Sequence, residues 1–374
     1  MAGIYVHIPF CKQRCSYCDF HFSTGLKHQS ELMKMISKEL ILRKNEIAEP
    51  VETIYLGGGT PSLLGLNELN SIFETVYQHY PVIENPEITL EANPDDLAKE
   101  KIRELKSTPV NRLSIGIQSF FDEDLRLMNR AHNAKEAIES VIAAQDSGFE
   151  NITIDLIYGT QTTSDEMWKK NLETALELNI PHISSYALTV EPKTVLNYRI
   201  RKKILSEINE EKQERHFKIL VKTLTESGFI HYEISNFGKE GFFSKHNSNY
   251  WKGKPYLGIG PSAHSFDGKN RSWNLANNTV YVKKLKENEI PNQVEVLTPN
   301  DRFNELIMIG LRTIYGIDLN RIQRDFPEEF YTGLMKESQK FLSDELIQIN
   351  DHKILLTEKG KFLADGIASD LFRV

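Results

Sequence analysis

Residues 11–20 read CKQRCSYCDF. They hold all three cysteines of a 374-residue chain, Cys11, Cys15 and Cys18. A short apolar segment, residues 5–8, runs almost directly into them. A disulfide would leave one thiol over and would need an oxidising compartment. Structural zinc takes four ligands, usually from two separated pairs, and the chain has no second pair. Three thiolates spaced by three and then two residues on one loop suit a different object. They can hold three corners of a cubane iron–sulfur cluster and leave its fourth iron open to a ligand.

The rest of the composition bounds the class. The chain exceeds a typical domain, and 40% of its residues are hydrophobic, ample for a core. Its net charge of −7 is spread along the sequence, which argues against a nucleic-acid partner. No apolar run approaches the roughly 18 residues of a membrane span. The start, MAGIYVHIPF, has no basic segment followed by a long apolar one, so the expected address is cytoplasmic.

Working outward from the cysteines, the first half alternates two periods. Residues 5–8, 53–56, 88–91, 112–118, 151–156 and 182–186 read as short buried strands. Residues 27–48 carry a helical stripe of Leu32, Met35, Ile36 and Leu40. Residues 66–80, 122–128 and 135–147 are also helical, the last stopped by Gly148, and Asn93-Pro94-Asp95 opens another helix. Thr163 with Glu166 fits a capping box for a helix running to Leu178. Six strand–helix units imply right-handed crossovers and a parallel α/β sheet, either open and doubly wound or closed into a complete or partial barrel. The strand ends carry Gly57-Gly58-Gly59, Glu91, Gln118 and Asp155. Glycine and polar residues at successive ends are what a ligand-lined rim requires, and the first strand brings the cysteines to the same rim.

Beyond about Thr189 the pattern changes. Residues 205–227 read as a charged amphipathic helix ending at Gly228, and residues 230–237 as one edge strand. Residues 242–273 are rich in glycine and aromatics. From Thr298 a helical stretch leads to HKILLTEKGKFLADGI, residues 352–367, whose strand, turn and helix predict a winged-helix-like tail. The expected division is a barrel core over 1–190, an extension over 191–295 and the tail over 296–374.

CxxxCxxC after a first strand, with GGGTP at the end of the second, resembles the radical S-adenosylmethionine superfamily. The resemblance implies a [4Fe–4S] cluster on Cys11, Cys15 and Cys18. It also implies S-adenosylmethionine, whose amino and carboxylate groups chelate the open iron and whose cleavage yields a 5′-deoxyadenosyl radical. YVHIPFC, TIYLGGGTPSLL, TLEANPDDL, LSIGIQSF, LMNRAH and IDLIYGT follow in order and resemble its coproporphyrinogen-oxidase-like branch. That branch implies a partial (β/α)6 TIM-like barrel with a smaller, mostly helical, winged-helix-like C-terminal domain. Its cofactor contacts fall here on Tyr5, Tyr17, Gly58, Gly59, Thr60, Glu91, Gln118, Arg130 and Asp155. In those roles Tyr17 packs on the adenine, and Glu91 accepts from the ribose or amino group. Arg130 neutralises a carboxylate, and Asp155 binds ribose hydroxyls.

Two departures choose between members of the branch. Oxygen-independent coproporphyrinogen oxidases carry a cysteine two residues after the third ligand, where Phe20 stands here. They also have a long N-terminal extension over the substrate, whereas ten residues precede Cys11. The HemW haem-chaperone family instead has CxxxCxYCxF and a later HNxxYW. Residues 11–20 and His246-Asn247-Ser248-Asn249-Tyr250-Trp251 match both, and the resemblance spans essentially the whole chain. It implies haem with His246 as axial ligand, Tyr250 and Trp251 covering the macrocycle. His7 and His264 are further candidates, and His7 can instead orient the cysteine loop. The expected function is to hold haem and pass it to apo-haemoproteins such as respiratory enzymes at the membrane. Coproporphyrinogen III decarboxylation, another radical reaction on a tetrapyrrole and a plain binding module are the alternatives. The electron donor and the use of the cluster as a structural, homodimerising or redox element stay open.

Overall fold

The computed structural model describes residues 1–373. Its centre is six parallel strands side by side in chain order: β1 (Ala2–Ile8), β2 (Val51–Gly58), β3 (Val82–Ala92), β4 (Arg112–Gln118), β5 (Asn151–Tyr158) and β6 (His182–Ala187). Helices α1 (Gln29–Leu42), α2 (Leu66–His79), α3 (Lys99–Lys106), α4 (Asp122–Leu127), α5 (Ala134–Asp146) and α6 (Asp165–Glu177) carry the chain back between them.

Strict alternation explains why these strands curl with helices outside. In β4, Leu113, Ile115 and Ile117 are fully buried on the helix side, while Arg112, Ser114, Gly116 and Gln118 fall on the other. In β1, Ile4, Val6 and Ile8 pack outward and Tyr5 and His7 inward. Each outward side chain, buried against residues such as Ile36 and Leu40 of α1 or Leu69, Ile72 and Val76 of α2, stabilises the fold by roughly 2 kcal/mol. The lumen is left polar: Thr53, Tyr55, Thr89, Glu91, Thr153, Asp155 and Ser184 face it rather than aliphatic residues.

After β6 the chain extends both edges of the sheet. Helices α7 (Val195–Arg201) and α8 (Glu210–Glu226) lead to β7 (Ile230–Glu233) and β8 (Asn236–Gly238), and β8 pairs antiparallel with β6. Helix α9 (Lys245–Trp251) then crosses to the far edge. There β9 (Tyr256–Ile259) runs parallel to β1, followed by β10 (His264–Phe266), β11 (Asn270–Asn274), α10 (Asn278–Lys286) and β12 (Asn292–Val296). The spatial order is β12-β11-β10-β9-β1-β2-β3-β4-β5-β6-β8-β7, with β12 and β7 at its two ends, so the barrel is partial. The extension is pinned by a buried ion pair, Arg43 to Glu39 at 2.9 Å. Arg43 also donates to the Gly258 carbonyl, while Glu39 accepts from Gly260 N–H, Asn274 and Tyr281.

A second core forms the tail. Helices α11 (Pro299–Leu311), α12 (Leu319–Asp325), α13 (Glu328–Ser343), α14 (Glu358–Lys361) and α15 (Ala364–Asp370) accompany an antiparallel sheet of β13 (Ile317–Asp318), β15 (Lys353–Leu356) and β14 (Ile347–Asn350). Phe303, Ile307, Phe330, Leu334 and Ile354 fill it. This is the winged-helix-like arrangement expected from residues 352–367. It docks on β7 through a Glu233–Thr313 bridge, an Arg312–Glu233 ion pair and contact of Phe362 with Phe217.

Several local expectations change. Helix α1 stops at Leu42, with Arg43 as its C-cap. Asn93-Pro94-Asp95 opens only a single 3-10 turn, and α3 begins later, at Lys99. Thr163 is not a cap: its hydroxyl pairs with Thr160 at 2.6 Å, and Ser164 caps α6 by accepting from Met167 N–H. The helix expected from residue 205 begins at Glu210 behind an Asn209 cap. The edge strand expected over 230–237 is a tight hairpin, because the Glu233 carboxylate accepts from Ser235 N–H and Asn236 Nδ2 and turns the chain. Among the described residues no helix is long and apolar enough to cross a membrane.

Candidate metal and cofactor centre

The cysteine loop leaves β1 at the strand-end rim and is tied on every side. Gly59 N–H donates to the Ile8 carbonyl (2.8 Å) and Thr60 N–H to that of Phe10 (2.7 Å). Cys11 N–H donates to Ser23 O, and Ser23 N–H to Pro9 O, closing the loop on itself. Ser16, between two cysteines, is buried; its N–H and hydroxyl donate to Met128 O and Leu127 O, and its carbonyl accepts from Leu196 N–H. Lys12 pairs with Asp95 and Asp96 beyond β3.

All three thiols are half-buried. Burial raises the Cys11 pKa, with the Thr60 hydroxyl pulling it partway back. Burial, reinforced by the neighbouring thiols, pushes Cys18 up to about 11. Arg130 donates to Cys15 Sγ at 3.2 Å and also to Asn93 Oδ1 and Gly116 O. Among the described residues no three His, Cys, Asp or Glu side chains converge on a single metal ion. A cubane asks for something different, since each thiolate takes a separate corner. Three thiols on one anchored loop, beside a guanidinium that offsets their anionic charge, fit that group. Loading it must release protons, because the metal binds thiolates.

Around the loop stand the strand-end residues. Gly58 has φ of +106°, and a Cβ there would lie 2.5 Å from the His7 ring. A Cβ on Gly59 would lie 2.6 Å from the Phe10 carbonyl oxygen, so only glycine lets the second strand end approach the cysteine loop. Glu91 accepts from Gly58 N–H at 3.0 Å and from the Tyr55 hydroxyl at 2.8 Å. Burial, with the nearby Asp155 charge, pushes Glu91 up to about 7. Asp155 is pushed up to about 6 by burial, against the pull of Ser184, Arg112, Arg130 and Ser114. Both carboxyls face one lumen, where in their ionised forms they can accept from the N–H and O–H groups of a bound ligand. Gln118, at φ +66°, is buried at the next strand end beside Arg130.

The remaining candidates are placed less as expected. Tyr5 donates its hydroxyl to His7 Nδ1 (3.2 Å), because His7 Nε2 must donate to the His21 carbonyl (2.9 Å). Burial lowers His7 to about 4, so the ring is neutral and holds the cysteine loop through His21. Tyr17 is packed into a satellite cluster with Leu125, Met128 and Leu196, its hydroxyl turned to Cys15. His246 is 2% exposed, with Nδ1 on Thr53 Oγ1 and Nε2 on Tyr250 OH, both at 2.8 Å. Its backbone N–H and that of Lys245 donate to Glu87. Helix α9 therefore plugs the lumen floor, with both His246 ring nitrogens on hydroxyl partners. Trp251 lies under Arg312 at the junction with the tail, 5.5 Å away, rather than over an open face.

Sequence reasoning missed Asn93, which links Thr60 to Arg130, and the lumen residues Tyr55, Arg112, Ser114 and Ser184. Asn93 stood in view in TLEANPDDL, where Asn-Pro-Asp signalled only a turn. The others follow from taking alternate residues of each strand inward.

The chain was compared with known proteins. A sequence model of the radical SAM superfamily matches residues 5–187, and one of the HemN C-terminal domain matches residues 297–363. The heme chaperone HemW of Bacillus subtilis is 33% identical over 98% of this chain and 98% of its own. HemW of Lactococcus lactis is 34% identical over 97% of each. The mitochondrial radical S-adenosyl methionine domain-containing protein 1 of Danio rerio is 34% identical over 98% of this chain and 86% of its own. The solved coproporphyrinogen III oxidase (HemN) of Escherichia coli superposes with a TM-score of 0.85 over 99% of this chain and 90% of its own at 21% identity, a likeness of fold. With end-to-end identity to these relatives and a loop of three cysteines at the rim of such a barrel, the chain belongs to the HemW family of the radical SAM superfamily.

Proposed function

We propose that this protein holds haem and delivers it to apo-haemoproteins, with respiratory enzymes among the recipients. The observation that carries this is full-length similarity to proteins named heme chaperone HemW. Phe20 supports it, standing where the decarboxylating oxidases have a further cysteine; it is 68% exposed beside the loop, with no thiol to offer a substrate.

In this reading Cys11, Cys15 and Cys18 hold a [4Fe–4S] cluster. Gly58, Gly59, Thr60, Glu91, Gln118, Arg130 and Asp155 line the S-adenosylmethionine pocket, with Tyr5 and Tyr17 behind them. The cluster supplies an open iron and a source of single electrons. The chain's own residues do the rest. Arg130 offsets thiolate charge, Glu91 and Asp155 accept from amino and hydroxyl groups, and Gly58 and Gly59 keep the rim clear for a close backbone approach. Delivery takes place in the cytoplasm, with transient encounters at the membrane where the recipient lies there.

The test is anaerobic reconstitution, haem titration and transfer to an apo-haemoprotein, with coproporphyrinogen III, S-adenosylmethionine and reductant as a parallel reaction. Spectral conversion of the acceptor to its holo form supports the proposal. Protoporphyrinogen formation, or haem that never leaves, overturns it.

A further inference from the structure

Beside the cysteine loop stands a run of charge that the fold leaves unused. Residues 193–204 read KTVLNYRIRKKI, with Lys193, Arg199, Arg201, Lys202 and Lys203 and no acid among them. In a chain of net charge −7 this is a local excess of the opposite sign. Arg14 joins it from between Cys11 and Cys15, its guanidinium donating to the Lys193 carbonyl at 3.2 Å. Lys12 is paired with Asp95 and Asp96, and Arg215 with Asp165, but among the described residues no carboxylate pairs with any of these six cations. Glu191 and Glu207 flank the run in sequence without entering it. Arg199 stands three and four residues before Lys202 and Lys203, spacings at which like charges on a helix repel.

Helix α7 is fastened to the loop. Leu196 N–H donates to the Ser16 carbonyl at 2.7 Å. Leu196 and Ile200 pack in one apolar cluster with Tyr17, which stands between Cys15 and Cys18. The other face is left to solvent. Tyr198 is 59% exposed, Arg201, Lys202 and Lys203 are exposed, and Lys202 Nζ lies 6.0 Å from the Tyr198 ring. Lys203, at φ +57°, follows the helix C-cap, and Ile204 beyond it is 66% exposed.

We propose that this face docks an acidic one-electron carrier protein, whose electron goes to the cluster on Cys11, Cys15 and Cys18. This rests on the cysteines holding that cluster. Charge sets the sign of the partner, since six unpaired cations complement a carboxylate-rich surface. Position sets its chemistry. The outer face of α7 lies one helix diameter, roughly 10 Å, from the side chain lodged between two of the thiols. A partner seated there is next to the loop without entering the rim. The carrier gives up one electron and is oxidised by one; the cluster is reduced by one, and no bond forms or breaks. Redox encounters use small, charge-steered contacts, below about 1,200 Å², a scale suited to a seven-residue helix and its flank. An anionic membrane is the poorer occupant. A helix lying on lipid needs its apolar face for the acyl boundary, and here Leu196 and Ile200 are turned to Tyr17.

The experiment uses the full chain with flavodoxin, a small acidic flavoprotein, as probe and a plant-type ferredoxin in parallel. Calorimetry measures binding to the cluster-free chain, and stopped-flow absorbance measures reduction of the reconstituted chain, each at low and raised salt. Arg201→Glu/Lys202→Glu is expected to weaken binding and slow reduction about tenfold, and wild type to lose the same advantage as salt rises. Lys222→Glu/Lys336→Glu makes the same change in net charge at exposed sites on α8 and α13 and should behave as wild type. Dithionite should reduce all three proteins equally, showing the cluster intact. Equal binding and reduction of wild type and the α7 variant overturn the proposal, and so does an absence of salt-dependent binding to either carrier. If the α7 variant loses binding to anionic phospholipid vesicles and keeps its binding to the carriers, the face is a membrane contact and the proposal falls. If wild type assembles no cluster, the cofactor reading falls and takes this assignment with it.

Discussion

Replacing Glu91 with glutamine tests whether the lumen carboxyls are strained toward their neutral form. Burial and the neighbouring Asp155 charge hold Glu91 at about 7, against an ordinary 4.5. Folding therefore raises the proton affinity of this group. Stability from Glu91 is greatest at low pH and is lost as pH rises from 4.5 toward about 7. At 1.36 kcal/mol per pH unit, a displacement from 4.5 to about 7 amounts to about 3 kcal/mol over the whole window. Between pH 5 and pH 8 about 2.5 kcal/mol of it is expressed. Glutamine does not titrate. It also cannot accept from both Tyr55 and Gly58 N–H with its amide nitrogen, but that cost is the same at every pH and cancels. Urea unfolding of the cofactor-free chain at pH 5 and pH 8, for wild type and Glu91→Gln, measures the difference. Wild type should lose roughly 2.5 kcal/mol more than the variant on going to pH 8. Parallel pH profiles, within about 0.5 kcal/mol, would refute the buried, charge-coupled carboxyl.

The same carboxyl predicts that S-adenosylmethionine binds about tenfold more tightly at pH 8 than at pH 6, as Glu91 ionises through about 7; calorimetry should find this dependence flattened in Glu91→Gln. Cys11→Ser, Cys15→Ser and Cys18→Ser should each abolish the brown chromophore after anaerobic reconstitution, and a full complement of iron and sulfide in all three would sink the ligand assignment. Gly58→Ala must adopt φ +106° and push on a His7 ring held at both nitrogens, so it should cost about 3 kcal/mol in denaturation and impair cofactor binding. Gly25→Ala, whose new Cβ meets nothing nearer than 3.6 Å, is the control. His246→Ala should lower stability by about 3 kcal/mol, because it opens a cavity and strands Thr53 and Tyr250; unchanged denaturation would mean α9 is not the plug described.

Much of the barrel was legible because its determinants are local. Six strands fell where alternating or apolar runs stood, and the expected 112–118 agrees with β4 to the residue. The cysteine loop and the rim glycines were visible because their spacing is itself the chemistry. The edges of the barrel were less legible. A hairpin at Ile234-Ser235 depends on the Glu233 side chain folding back, and the Ser164 cap wins only because Thr163 is taken by Thr160. Propensity along the chain cannot rank such side-chain competitions.

Histidines show the division most clearly. Sequence alone determined that three thiols share a loop and that parallel strand–helix units carry that loop to a rim, while HNxxYW was singled out by the family resemblance. The thiol spacing and the period of each strand and helix are local patterns. Only the tertiary structure decided what each imidazole does. Thr53 reaches His246 across 193 positions of chain, and Glu87 reaches its backbone across 159, setting the ring at the floor of the lumen. His264 stays open because Ser265, its neighbour, is the one drawn inward to Arg43. Lone pairs are claimed by whichever groups the fold brings within 3 Å or so, and that is settled by contacts far apart in sequence.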